Sequence, residues 1–156
     1  MKKYLVIGNP IEHSLSPELH NYWIKENNID ASYEKKKINE NELKELIFKI
    51  KEKEINGINV TVPFKKKIIP YLDELSLEAE NTLSVNTIYR KNDKIIGHNT
   101  DVEGFELSIK NSKIDFINKK ILILGAGGVV PSIIFALNKM KVSEICLLYT
   151  SPSPRD

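Results

Sequence analysis

The first candidate for chemistry is an amine. In NVTVPFKKK an apolar run ends at Thr61-Val62-Pro63 and the chain turns into Lys65, Lys66 and Lys67. Ligands of open α/β sheets bind beyond the carboxyl ends of strands, and Lys65 is the first lysine past such an end. Held in a cleft there, it can release or return a proton near neutral pH; otherwise it is one more solvated surface group. A carboxylate stands in GHNTDVEGF, where Asp101 follows one element and opens the next. Asp at a helix start stabilises it by ~0.5–2 kcal/mol relative to Ala, a role compatible with a second one toward a ligand. In GNPIEHSLSPELHN, Ser14 and Ser16 follow the first apolar run. They read as a turn serine and an N-cap, or as a hydroxyl pair that receives a carboxylate together with backbone N–H groups. Asn86, in SVNTI, reads as a mid-strand Asn, a type depleted in strands. If buried it needs hydrogen-bond partners, which a polyhydroxylated ligand would supply. His13, His20 and His98 fit no metal-ligand spacing and read as surface or turn groups, so no metal site is expected.

A second kind of site is built from backbone. Gly125-Ala126-Gly127-Gly128 follows KKILIL and opens a helical stretch. Glycines in that context let N–H groups at a helix N-terminus approach a pyrophosphate. The third small position of the dinucleotide fingerprint falls on Val130, and a turn that merely packs helix on strand is the plainer reading. The place that reads the ribose 2′ position falls at Tyr149–Thr150.

These residues need elements to hold them. KYLVIG reads as a short strand, and SPELHNYWIKENN as a helix with Ser16 as N-cap, Pro17 at its first position and a buried stripe of Leu19, Tyr22 and Trp23. ASYEKKKI alternates like an edge strand. NENELKELIFKIKEK is a helix with Leu43, Leu46, Ile47 and Ile50 on one face. INGINVTV is a buried strand, FKKKIIPYLDEL is interrupted at Pro70, and SLEAEN is a short helix. Two strands surround the turn Lys91–Asn92–Asp93–Lys94, and DVEGFELSIKNS is a helix. KKILILGAGG reads as a fully buried strand, VPSIIFALNKM as a helix and VSEI as the start of another strand. Such alternation predicts an α/β fold with a mostly parallel sheet covered by helices on both faces.

The totals agree. The 156 residues suffice for one domain or for one and part of another, with 41% hydrophobic and 28% charged residues. A formal net charge of +2 gives no concentrated basic field, so neither nucleic acid nor a membrane surface is an expected partner. No apolar run approaches the ~18 residues of a membrane span, and Tyr4–Ile7 is too short for a signal-peptide core. The single cysteine, Cys146, allows no disulfide framework, and a cytoplasmic protein is expected. From Cys146 onward the composition shifts. CLLYTSPSPRD resembles the translated read-through of a transposase-type sequencing adapter, so residues 146–156 are expected to be a non-native tail outside the fold.

Taken in order, GNPIEHSLSPELHN, INVTVPFK, SVNTI, GHNTDVEGF and ILGAGG resemble the successive signature blocks of the shikimate dehydrogenase family. The resemblance implies an NADP-dependent reduction of 3-dehydroshikimate to shikimate, on the way to chorismate and aromatic amino acids. It implies Lys65 and Asp101 as catalytic pair, both also touching substrate, Ser14 and Ser16 as ligands of the substrate carboxylate, and Thr61 and Asn86 as ligands of ring hydroxyls. Gly125, Ala126, Gly127, Gly128 and Val129 match the pyrophosphate loop. The implied organisation is a shikimate-binding domain over residues 1–101, then a linker helix and the first β-α unit of a truncated Rossmann-type NADP-binding domain over 102–145. The family's later arginine motif, which meets the 2′-phosphate, and its late substrate-touching glutamine are absent, so an N-terminal fragment without turnover is expected. A quinate/shikimate dehydrogenase and a non-catalytic shikimate-binding module are the alternatives, and the oligomeric state is left open, a homodimer included.

Overall fold

Tyr4-Leu5-Val6-Ile7 is an apolar run that can face packed side chains on both sides, and in the computed structural model it becomes the buried part of β1 (Lys2–Gly8). The structure describes residues 1–112 and 114–149. The chain divides into two compact units, Met1–Asn99 and Thr100–Asp156.

In the first unit the order is β1, α1 (Ser16–Glu26), β2 (Ala31–Lys37), α2 (Leu43–Lys51), β3 (Gly57–Val60), β4 (Glu74–Leu75), α3 (Leu77–Thr82), β5 (Thr87–Lys91) and β6 (Lys94–His98). They form one six-stranded sheet in the order β2-β1-β3-β5-β6-β4. β1 runs parallel to β2 and β3, and β4 parallel to β6; the β5–β6 hairpin supplies the antiparallel pairs. Asn92 and Asp93 carry φ of 48° and 62°, the left-handed pair that a two-residue hairpin turn demands.

Helices cover both faces. Leu43, Leu46, Ile47 and Ile50 of α2 are all buried against Leu5, Ile7, Ile58, Val60, Ile88 and Ile95. Each such side chain contributes ~1.5–3 kcal/mol of burial. On the opposite face Val6, Ile11 and Tyr33 form a smaller cluster with Tyr4 and Ile24.

Helix α1 departs from its sequence reading. Leu19, Tyr22 and Trp23 are exposed (49%, 59% and 48%), and α1 has no fully buried residue. Apart from Ile24, its inward contacts are polar. The Asn21 side chain donates to Tyr33 C=O at 2.7 Å and accepts from Tyr33 N–H at 3.0 Å, while the His20 ring stacks on Tyr33 at 4.2 Å. Because β2 is an edge strand, Asn21 satisfies backbone groups that no further strand takes. Ser16 is likewise not the N-cap. Leu15 occupies that position without a side-chain bond, and Ser14 Oγ accepts from Ser16 N–H at 3.3 Å. Asn86 lies just before β5 rather than within a strand.

The second unit contains α4 (Asp101–Ser112), β7 (Lys120–Leu124), α5 (Val130–Lys139) and β8 (Glu144–Leu148), with β7 and β8 paired in parallel. β7 is not fully buried: its exposure alternates, and Leu122 and Leu124 are 58% and 73% exposed. An apolar run of this kind is covered on both faces only within a sheet that has helices on both sides, and β7 has a single partner strand among the described residues. Cys146, Leu147 and Leu148, expected outside the fold, pair with Leu122, Ile123 and Leu124. Of that expected tail, residues 150–156 lie outside the described residues. Among the described residues no helix is long and apolar enough to cross a membrane.

Candidate functional site

Parallel pairing brings the carboxyl ends of β1 and β3 to one rim of the sheet. The antiparallel register Asn59↔Thr87 brings the amino end of β5 to the same rim, and Thr87↔His98 adds the carboxyl end of β6. Ser14 and Ser16 follow β1, Thr61 and Lys65 follow β3, and Asn86 precedes β5.

Backbone bonds tie these segments together. Thr61 N–H donates to Ile7 C=O at 2.9 Å, Asn9 N–H to Val62 C=O at 3.1 Å, Val60 N–H to Asn86 C=O at 2.8 Å, and Val85 N–H to Lys65 C=O at 2.9 Å. Ser14, Ser16 and Thr61 line one cleft of about 290 Å³ together with Pro10, Ile11 and Val62. Of the three consecutive lysines, Lys65 is half-buried whereas Lys66 and Lys67 are exposed, and Lys67 pairs with Glu40. Asn86 is half-buried.

The loop carrying the serines is anchored from β2. Glu12 Oε1 pairs with Lys37 at 3.0 Å, Glu12 Oε2 accepts from Ile11 N–H at 2.9 Å, and Lys35 Nζ donates to Glu12 C=O at 2.6 Å. A hydrogen bond from its own backbone N–H, then Lys37 and the Ile11 N–H, hold the Glu12 carboxyl down at about 2.

Three residues that brace this region, Asn59, Asn99 and Tyr33, are not singled out by the sequence reading. Asn59 sits inside β3 and Tyr33 inside β2, joined by a bond from Tyr33 OH to Asn59 Oδ1 at 2.6 Å. Asn99 is fully buried and donates to Thr82 Oγ1 at 3.0 Å and Ser84 C=O at 2.8 Å. A mid-strand Asn in INVTV and the Asn of GHNTD were the available signals, since buried amides imply partners.

Asp101 and the glycine turn belong to the second unit. Asp101 is the first residue of α4 and shares its first turn with Glu103, where carboxylates face the positive end of the helix dipole. Gly125 has φ +99° and its N–H donates to Leu148 C=O at 2.8 Å. No atom lies within 4 Å of a Cβ built on Gly125 or Gly127, and α5 begins at Val130. Backbone at a helix start is therefore open to close approach, which fits a pyrophosphate. Tyr149 is exposed, and Thr150 lies outside the described residues. Among the described residues no group of three or more His, Cys, Asp or Glu could hold a metal ion.

Comparison with known proteins sharpens this picture. The profile of the shikimate dehydrogenase substrate binding domain matches residues 6–88. The shikimate dehydrogenase (NADP(+)) of Pelagibacter ubique is 60% identical over 146 residues, covering 94% of this chain and 55% of that protein. The crystal structure of shikimate dehydrogenase 1 from Peptoclostridium difficile matches with a TM-score of 0.86 and 32% identity, covering 94% of this chain and 56% of that one. The Thermus thermophilus enzyme, solved in complex with NADP(H) and shikimate, matches with a TM-score of 0.84 and 28% identity over 99% of this chain and 57% of that one. The chain thus spans about half the length of the relatives it matches. With more than half of its residues matched by that profile, the chain belongs to the shikimate dehydrogenase family.

Proposed function

We propose that this chain supplies the substrate-binding part of an NADP-dependent shikimate dehydrogenase, which reversibly reduces 3-dehydroshikimate to shikimate in the cytoplasm, toward chorismate and aromatic amino acids. The observation that carries the reading is the cleft shared by Ser14, Ser16 and Thr61, at the rim where Lys65 and Asn86 are also held. Ser14 and Ser16 receive the substrate carboxylate; Thr61 and Asn86 hydrogen-bond ring hydroxyls. Several hydroxyl-directed groups give selectivity, because a ligand lacking a hydroxyl leaves its partner desolvated and unpaired.

During reduction, negative charge develops on the C3 oxygen. The Lys65 ammonium stabilises it and donates a proton; in the oxidation direction neutral Lys65 takes the hydroxyl proton. Asp101, the carboxylate of the proposed catalytic pair, binds a ring hydroxyl. The open turn Gly125–Val129 is suited to the cofactor pyrophosphate. When bound, the nicotinamide supplies the hydride. A homodimer completes the proposal, supported by the apolar Leu19, Tyr22 and Trp23 exposed on α1; sedimentation equilibrium tests it.

The test of the binding reading is an NMR titration of the chain with shikimate. Amide shifts are expected to cluster at Ser14, Ser16, Thr61 and Asn86, with weaker effects from quinate. Shikimate that leaves these signals unmoved up to its solubility limit overturns the reading.

A further inference from the structure

A chain of side-chain hydrogen bonds that begins three strands away reaches Asn86. Tyr33 OH on β2 donates to Asn59 Oδ1 at 2.6 Å. That bond fixes which end of the Asn59 amide faces β2, and its Nδ2 donates toward β5, to Thr87 Oγ1 at 3.0 Å and to Asn86 C=O at 3.2 Å. A hydroxyl has one proton to give. With Asn59 donating to it, Thr87 Oγ1 directs its own proton to Asn86 Oδ1 at 3.0 Å. Every link runs in the same sense, from Tyr33 to Asn59 to Thr87 to Asn86.

We infer that Tyr33, Asn59 and Thr87 are positioning residues that fix the orientation of the Asn86 side-chain amide, holding its Oδ1 on the side of Thr87. The inference deepens the reading of Asn86 as a substrate-binding residue and rests on it.

The start of the relay is secure. Tyr33 is 5% exposed, and burial pushes its phenol up to about 12, so its proton stays in place throughout the neutral range. His20 stacks on the same ring, and burial lowers its pKa, which favours the neutral imidazole beside the phenol. Chained hydrogen bonds polarise one another, so cutting the first link weakens the last.

The test uses Thr87→Val, which keeps the branched shape, Thr87→Ser, which keeps the hydroxyl, and Tyr33→Phe. In the ligand-free chain, three-bond couplings to Asn86 Cγ report its χ1. A single rotamer is expected in the parent and in Thr87→Ser, and averaged couplings in Thr87→Val. Shikimate affinity is expected to fall about tenfold in Thr87→Val, to return in Thr87→Ser and to fall less in Tyr33→Phe. Unchanged Asn86 couplings in a folded Thr87→Val overturn the relay whether or not shikimate binds. Absence of binding by the parent chain, with the couplings responding as described, overturns the substrate reading and leaves the relay intact.

Discussion

A methyl group built on Gly8 would stand 2.6 Å from Thr61 Cγ2 and 3.1 Å from the Val62 carbonyl oxygen. The end of β1 and the loop after β3 are thus in contact at the point where Thr61 enters the cleft, and only a residue without Cβ fits. Gly8→Ala is expected to cost ~1–3 kcal/mol of stability by urea denaturation and to weaken shikimate binding through displacement of Thr61. Unchanged stability and affinity would show that the loop yields freely.

Glu12 predicts an acid-labile anchor. Its carboxyl is held at about 2 against an ordinary value of 4.5, so the stabilisation it gives is complete above pH 4.5 and disappears as pH falls through 2. A carboxyl titration followed by NMR should place its midpoint near the lower value. Lys37→Ala should move it upward, and Glu12→Gln should flatten the acid limb of the stability curve. A midpoint at the ordinary value in the parent chain would dissolve the anchor.

Lys65 is expected to act on turnover more than on binding. In a complete enzyme Lys65→Ala should lower kcat by about 10²–10⁴-fold while shikimate affinity falls little. Activity equal to the parent would return Lys65 to the surface lysines. For the present 156 residues alone, shikimate and NADP are expected to give binding without turnover, and shikimate oxidation at a normal rate would contradict that.

Asn21→Ala should unseat α1. It removes the amide that bonds both Tyr33 N–H and Tyr33 C=O, and the expected loss is about 1–3 kcal/mol with faster hydrogen exchange at the Tyr33 amide. An unaltered exchange rate would mean that water replaces the side chain at no cost.

Asn21 also marks where the sequence stops being legible. The spacing of Leu43, Leu46, Ile47 and Ile50 identifies the buried face of α2 because that face packs by apolar area alone. The same logic assigns Leu19, Tyr22 and Trp23 to the core and fails, since α1 docks through Ile24 together with an amide and a stacked imidazole that hydrophobic periodicity does not register. The ILIL run reads like a central strand whatever the number of its neighbours, so its alternating exposure could not be foreseen. At the site, Ser14, Ser16, Thr61 and Lys65 stand out because each follows a strand end, and Asn86 because it reads as an Asn within a strand, although it lies just before β5. Tyr33, Asn59 and Thr87 do not, because their bonds depend on the register of four strands, which no local pattern states.

The sheet's other end has a different character. There the chain reverses at Asn28, Lys53, Asn92 and Asp93, all exposed and all with positive φ. Reversals of this sort are local and self-contained. Tags, dyes or extra residues grafted at Asn92–Asp93 should leave the cleft lined by Ser14, Ser16 and Thr61 undisturbed, since the turn they occupy lies at the far end of the sheet from it.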